Sequence, residues 1–117
     1  MTINGRVKGH TAERAVARYL RESGYPLAIT SRNALGHDGQ RQETDIIGVP
    51  GASIEVKNRQ NLNIGASLLQ CAIQGGPDKI PILVAKPYGV GMTSVGDWWA
   101  ITYVRRFVPL LPMEGPL

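Results

Sequence analysis

The strongest constraint on this chain is the order of three segments in its middle: a β-branched run at 53–58, an apolar helical run at 62–74, and a nearly continuous apolar run at 80–86 (IPILVAK). Residues 62–74 place Ile64, Leu68, Leu69, Ala72 and Ile73 on one helical face, and Gly75-Gly76-Pro77 ends that helix. Strand, helix and strand in succession imply a right-handed crossover joining two parallel strands. An uninterrupted apolar strand such as 80–86 is expected to be covered on both faces.

The flanking segments extend this unit. Residues 12–23 read as an amphipathic helix, with Thr11 as N-cap, Gly24 as the stop, and Ala12, Ala15, Val16, Tyr19 and Leu20 at helical spacing. Its other side carries Arg14, Arg18 and Arg21, a basic stripe that is either a solvated face or a row of phosphate contacts. A short strand is expected over 25–30 and a polar, Gly-bearing loop over 31–43. Residues 44–49 and 53–58 are β-branched runs joined by Pro50-Gly51-Ala52, which predicts an antiparallel hairpin. After a Gly-rich connection at 87–97, residues 98–105 alternate well enough for a last strand, and 107–117 holds three prolines and no pattern. The expected order is α-β-β-β-α-β-β: an α/β domain over 1–106 with a mixed central sheet flanked by helices, then a Pro-rich extension over 107–117.

With 117 residues the chain suits one domain. The single cysteine, Cys71, lies in an apolar stretch and reads as a small buried hydrophobe, which fits a reducing cytoplasm. No apolar run approaches the roughly 18 residues that a membrane span needs, and the first residues have no signal-peptide core. Thirteen Lys and Arg against nine Asp and Glu give a net charge of +4, and nine of the thirteen cations are Arg, whose planar fork matches phosphate oxygens. The balance favours an anionic partner.

The chemically informative residues are Asp45 on one predicted strand and Glu55-Val56-Lys57 on the next. Alternation sends Glu55 and Lys57 to one face and Ile54 and Val56 to the other. In a hairpin turning at 50–52, Asp45 lies across from the Glu55 region, and facing carboxylates repel unless a cation sits between them. Magnesium takes one or two carboxylates and keeps several waters, so Asp45, Glu55 and the Val56 carbonyl would be sufficient ligands. Such an ion polarises a phosphoryl oxygen and lowers the pKa of attacking water, while Lys57 orients that water. Glu13 lies at the edge of the core-facing stripe of the first helix. It is either a third acid reaching inward or a first-turn Glu favoured by the helix dipole. An E-x-K strand alone is a weak signal, because surface strands often pair Glu with Lys; the combination is stronger.

Taken together, Lys8-Gly9-x-x-x-Glu13-Arg14, Gly24-Tyr25, Asp45-Ile46-Ile47, Ile54-Glu55-Val56-Lys57 and Pro81-Ile82-Leu83-Val84-Ala85-Lys86 resemble the archaeal-type Holliday-junction resolvases of the PD-(D/E)xK nuclease superfamily, over about residues 6–104. Thr44 stands where the superfamily name has Pro. The resemblance implies a restriction-endonuclease-like fold and a homodimer that nicks opposed strands of a four-way DNA junction, using Mg2+, with Mn2+ able to substitute and no small-molecule cofactor. It implies Glu13, Asp45, Glu55 and Lys57 as the catalytic set, with Glu13, Asp45, Glu55 and the Val56 carbonyl on the metal. Arg6, Lys8, Arg14, Arg18, Arg21, Arg32, Arg59 and Lys86 are the expected DNA contacts, and the hydroxyl of Ser31 or Thr30 is expected to assist at the scissile phosphate. With the three acids and Lys57 withdrawn into a site, the remaining surface carries a net charge of +6.

Two other readings stay open: a PD-(D/E)xK endonuclease acting on duplex or other branched DNA, and a non-catalytic branched-DNA-binding module. Trp98 and Trp99 are either base-stacking platforms or core and subunit contacts. Gln70 is a candidate to lean toward the site, and the lone His10 and His37 are weak grounds for zinc. The chain's origin, cellular or phage, is open.

Overall fold

The computed structural model describes residues 5–35, 44–59 and 61–113. They form an α/β fold with one mixed five-stranded sheet flanked by helices. In chain order the elements are α1 (Gly5–Glu22), β1 (Ile29–Thr30), α2 (Ser31–Leu35), β2 (Ile46–Ile47), β3 (Ala52–Lys57), α3 (Ile64–Gly75), β4 (Ile80–Ala85), β5 (Trp99–Ile101) and α4 (Val104–Phe107). The strands lie side by side in sequence order. β1, β2 and β3 pair antiparallel, β3 and β4 parallel across α3, and β5 antiparallel to β4. No helix among the described residues is long and apolar enough to cross a membrane.

α1 and α3 cover opposite faces of the sheet. Ala12, Val16 and Ala17 of α1 pack with Ile46, Ile54, Val56 and Trp98 in the main core. On the other face Ser53 Oγ donates to the Cys71 carbonyl of α3 at 2.9 Å, and Cys71 Sγ donates to the Ser53 carbonyl at 2.9 Å. This close seat needs Gly75, because a Cβ there would collide with the Ser53 side chain. Cys71 is fully buried, as its apolar surroundings in the sequence predict.

Several sequence expectations are corrected. α1 begins at Gly5 rather than Ala12, so Thr11 is no cap and Glu13 lies well inside the helix, beyond reach of the N-terminal dipole. The stop at Gly24 holds: its φ is 111°, and the Tyr25 N–H returns to the Leu20 carbonyl. The strand expected over 25–30 shrinks to Ile29–Thr30, because Pro26 offers no N–H and the chain first turns through Ala28 N–H to Tyr25 O. β2 is equally short; it stops at Gly48, whose φ of 85° and contact with the Leu27 backbone admit no side chain. The polar segment 31–43 opens with α2, while 36–43 lies outside the described residues.

On α3 only Leu68 and Cys71 are buried; Leu69 and Ile73, expected on the core face, are 55% and 73% exposed. The last strand ends at Ile101 instead of running to 105. Pro81 has no N–H for a longer ladder, and the Thr102 hydroxyl binds the Pro81 carbonyl instead. The chain then turns into α4, where Arg106 Nη2 donates to the carbonyls of Pro77 and Lys79 and ties the C-terminal segment to the α3–β4 turn.

Candidate active site

The pair Ile46–Ile54 sets the β2–β3 register, so one step along Asp45 comes opposite Glu55. The Val56 N–H donates to Asp45 Oδ2 at 2.8 Å, and the Asp45 carbonyl accepts from the Ser31 N–H at 2.9 Å. Asp45 is thus held by backbone on both sides. Glu55 and Lys57 point to the same face of β3, close enough for the ammonium to favour the Glu55 carboxylate. Glu13 arrives from α1, and Arg32 from α2, with Arg32 Nε 3.5 Å from Glu13 Oε2. That distance makes an ion pair without hydrogen-bond geometry.

These residues converge on one cleft of about 590 Å³, lined by the acids, Val56, Lys57 and Asn58, with Lys8, His10, Arg32 and Arg59 around them. Glu13 and Glu55 are only 5% and 9% exposed. Burial, and then the Asp45 carboxylate lying against both, push Glu13 up to about 7 and Glu55 up to about 8; Arg32 and Lys57 pull the other way. Three acids are therefore forced together with less positive charge than they need.

That shortage is the test of whether a metal fits. The donors are hard oxygens held by backbone, and the two raised carboxyls would ionise if a cation arrived between them. Among the described residues no three His, Cys, Asp or Glu side chains form a ready-made cage, but magnesium needs only one or two carboxylates with waters. The residues present fit such an ion: Asp45, Glu55 and the Val56 carbonyl could hold it, with Glu13 beside them.

The predicted DNA contacts divide. Lys8, Arg32 and Arg59 line the cleft. Lys86 lines a neighbouring groove together with Lys8 and Arg59. Arg14 and Arg18 line a separate groove against Met92, Thr93 and Val95, and Arg18 is ion-paired to Glu22 at 3.0 Å. Arg21 Nη1 donates to the Ala28 carbonyl at 2.9 Å, which gives it a structural task. The Arg6 side chain and His37 lie outside the described residues.

Ser31 is fully buried and Thr30 nearly so, with Thr30 Oγ1 accepting from the Asn33 N–H at the start of α2. Neither is among the residues that line the cleft. Gln70 is exposed on α3, away from the cleft. His10 also lines the cleft, a place that the apolar pattern of the sequence does not indicate. The signal was its position three residues before Glu13, which shares a helical face only if the helix already runs through His10.

No family model, curated protein or solved structure matches this chain. The functional reading therefore rests on the cleft itself and on the motif resemblance.

Proposed function

We propose that the protein is a metal-dependent endodeoxyribonuclease of restriction-endonuclease-like fold, acting on branched DNA and, by the motif resemblance, on four-way junctions as a homodimer. The observation that carries this reading is the convergence of Glu13, Asp45, Glu55 and Lys57 in one basic-rimmed cleft. Bound there, a divalent ion would polarise the phosphoryl oxygen and acidify the attacking water. The protein's own part is positional. Asp45 and Glu55 would hold the ion, with Asp45 kept in place by the Val56 N–H. Lys57 Nζ orients the water and offsets charge on the non-bridging oxygens, and Lys8, Arg32 and Arg59 hold the flanking phosphates.

The test is cleavage of a labelled four-way junction beside a duplex of the same arms, with Mg2+ and with EDTA, by wild type and Glu55→Gln. Paired symmetric nicks on the junction alone, lost in EDTA and in the variant, are the expected result. Turnover in EDTA, or cleavage by Glu55→Gln at the wild-type rate, overturns the nuclease reading. Equal cutting of the duplex removes junction selectivity.

A further inference from the structure

A second groove of about 780 Å³ adjoins the acid cleft, and Lys8, Asn58 and Arg59 line both. Lys86, Tyr88 and Trp99 line the far side. The adjacent tryptophans have opposite fates. Trp98 is buried in the core and donates its Nε1–H to the Gly91 carbonyl, whereas Trp99 is 59% exposed and Tyr88 is 89% exposed. Trp99 pairs with Ala85 across β4–β5, and Ala85 with Lys57 across β3–β4, so Lys57 and Trp99 share one sheet face. Two strand spacings put them about 10 Å apart, a gap that a DNA strand leaving the cleft spans within a few nucleotides.

Two exposed aromatic rings stand in this groove among three cations. Stacking platforms interleaved with basic side chains suit single-stranded nucleic acid: every base has a π-face, and the backbone carries the charge that the cations complement. We propose that this groove binds unpaired nucleotides of the strand that leads out of the acid cleft. Tyr88 and Trp99 stack their bases, and Lys8, Arg59 and Lys86 hold their phosphates. The proposal builds on the nuclease reading, because it takes the cleft as the place where that strand is cut.

The experiment is fluorescence anisotropy of a labelled oligothymidylate and of a blunt duplex of equal length, both in EDTA so that nothing is cleaved. Trp99→Ala and Tyr88→Ala are each expected to lower oligothymidylate affinity by roughly tenfold, with Trp99→Phe retaining most of it. The salt slope and the duplex affinity should not change, since no cation is removed. Oligothymidylate affinity within about twofold of wild type in both alanine variants, at the resolution set by stacking energies, overturns the proposal. So does an equal loss on the duplex, or a change in sedimenting mass for Trp99→Ala, which would make this face a contact between copies. Cleavage separates the two readings. Wild-type protein that binds the oligonucleotide through Trp99 but cuts no DNA with Mg2+ sinks the nuclease and keeps the groove; protein that cuts but binds independently of Trp99 does the reverse.

Discussion

The acid cleft and the aromatic groove share a wall of three residues yet handle charge in opposite ways. In the cleft, Glu13 and Glu55 are buried against Asp45 and pushed toward neutrality. In the groove Lys8 and Arg59 are exposed and Lys86 is half-buried, beside exposed rings. Buried charges in conflict respond to protons and divalent ions, whereas exposed charges respond to monovalent salt. The two regions should therefore be separable by solution conditions as well as by mutation.

The largest expected effect is on chemistry. Asp45→Asn keeps an acceptor for the Val56 N–H, so the fold should survive, but it removes the carboxylate that faces both glutamates. Single-turnover cleavage should fall by about three orders of magnitude or more, with junction affinity held within a few-fold. Normal cleavage by Asp45→Asn would break the comparison at its root, because the cleft would then be a charge cluster without a reaction.

The next effect is on stability. A carboxyl raised from 4.5 to about 7 or 8 on folding keeps its proton in the folded state where the unfolded chain has already released it. Stability then falls as pH rises from about 4.5 to about 8, because the folded state binds more protons over that window. In EDTA the melting temperature should drop between pH 5 and pH 8, and millimolar Mg2+ should flatten the curve. Glu55→Gln should be the more stable protein at pH 8 without metal, while losing cleavage. Thermal denaturation at both pH values checks this; a flat wild-type profile would mean that the acids are better neutralised than their burial implies.

How much of this was legible in the sequence follows from how local each signal is. The β3–α3–β4 crossover and the β2–β3 hairpin are written in runs of apolar residues and in Pro50-Gly51; the crossover falls where expected, and the hairpin pairs as expected although β2 keeps only Ile46–Ile47 of the run 44–49. The meeting of Asp45 with Glu55 follows from hairpin register alone. The N-terminal half of α1 carries no such signal: residues 5–11 lack an apolar stripe and include Gly9, so the pattern starts at Ala12 and nothing in it sets His10 on the face of Glu13. The outer face of α3 misled differently. Its apolar residues have the right spacing, but the sheet reaches only Leu68 and Cys71 and leaves Leu69 and Ile73 outside. Periodicity shows which face is apolar, and only the fold shows how much of that face is covered.

A smaller effect sharpens the groove side of the comparison. Arg59 stands on the shared wall, so Arg59→Ala should reduce the salt slope of both duplex and oligothymidylate binding by about one unit. Arg14 lines a different groove, against Met92 and Val95. If Arg14→Ala lowers the slope as much as Arg59→Ala does, the DNA path runs along the helix as well, and the basic stripe is a phosphate row rather than a solvated face.

The smallest effects fall on the rest of that stripe, where structure and binding make different demands on one residue type. Arg18 is spent on an exposed i,i+4 pair with Glu22, so Arg18→Ala should cost no more than about 0.5 kcal/mol of stability. Arg21 instead satisfies the Ala28 carbonyl just before β1, at the connection that delivers α2 and Arg32 to the cleft. Its removal leaves a fully buried residue's carbonyl without that donor, so Arg21→Ala should cost about 1 kcal/mol. Denaturant unfolding separates the two variants from each other, and anisotropy at several salt concentrations separates both from Arg59→Ala. A salt slope that changes for Arg21→Ala while its stability does not would assign Arg21 to phosphate rather than to the Ala28 carbonyl, and would extend the exposed-charge region along α1.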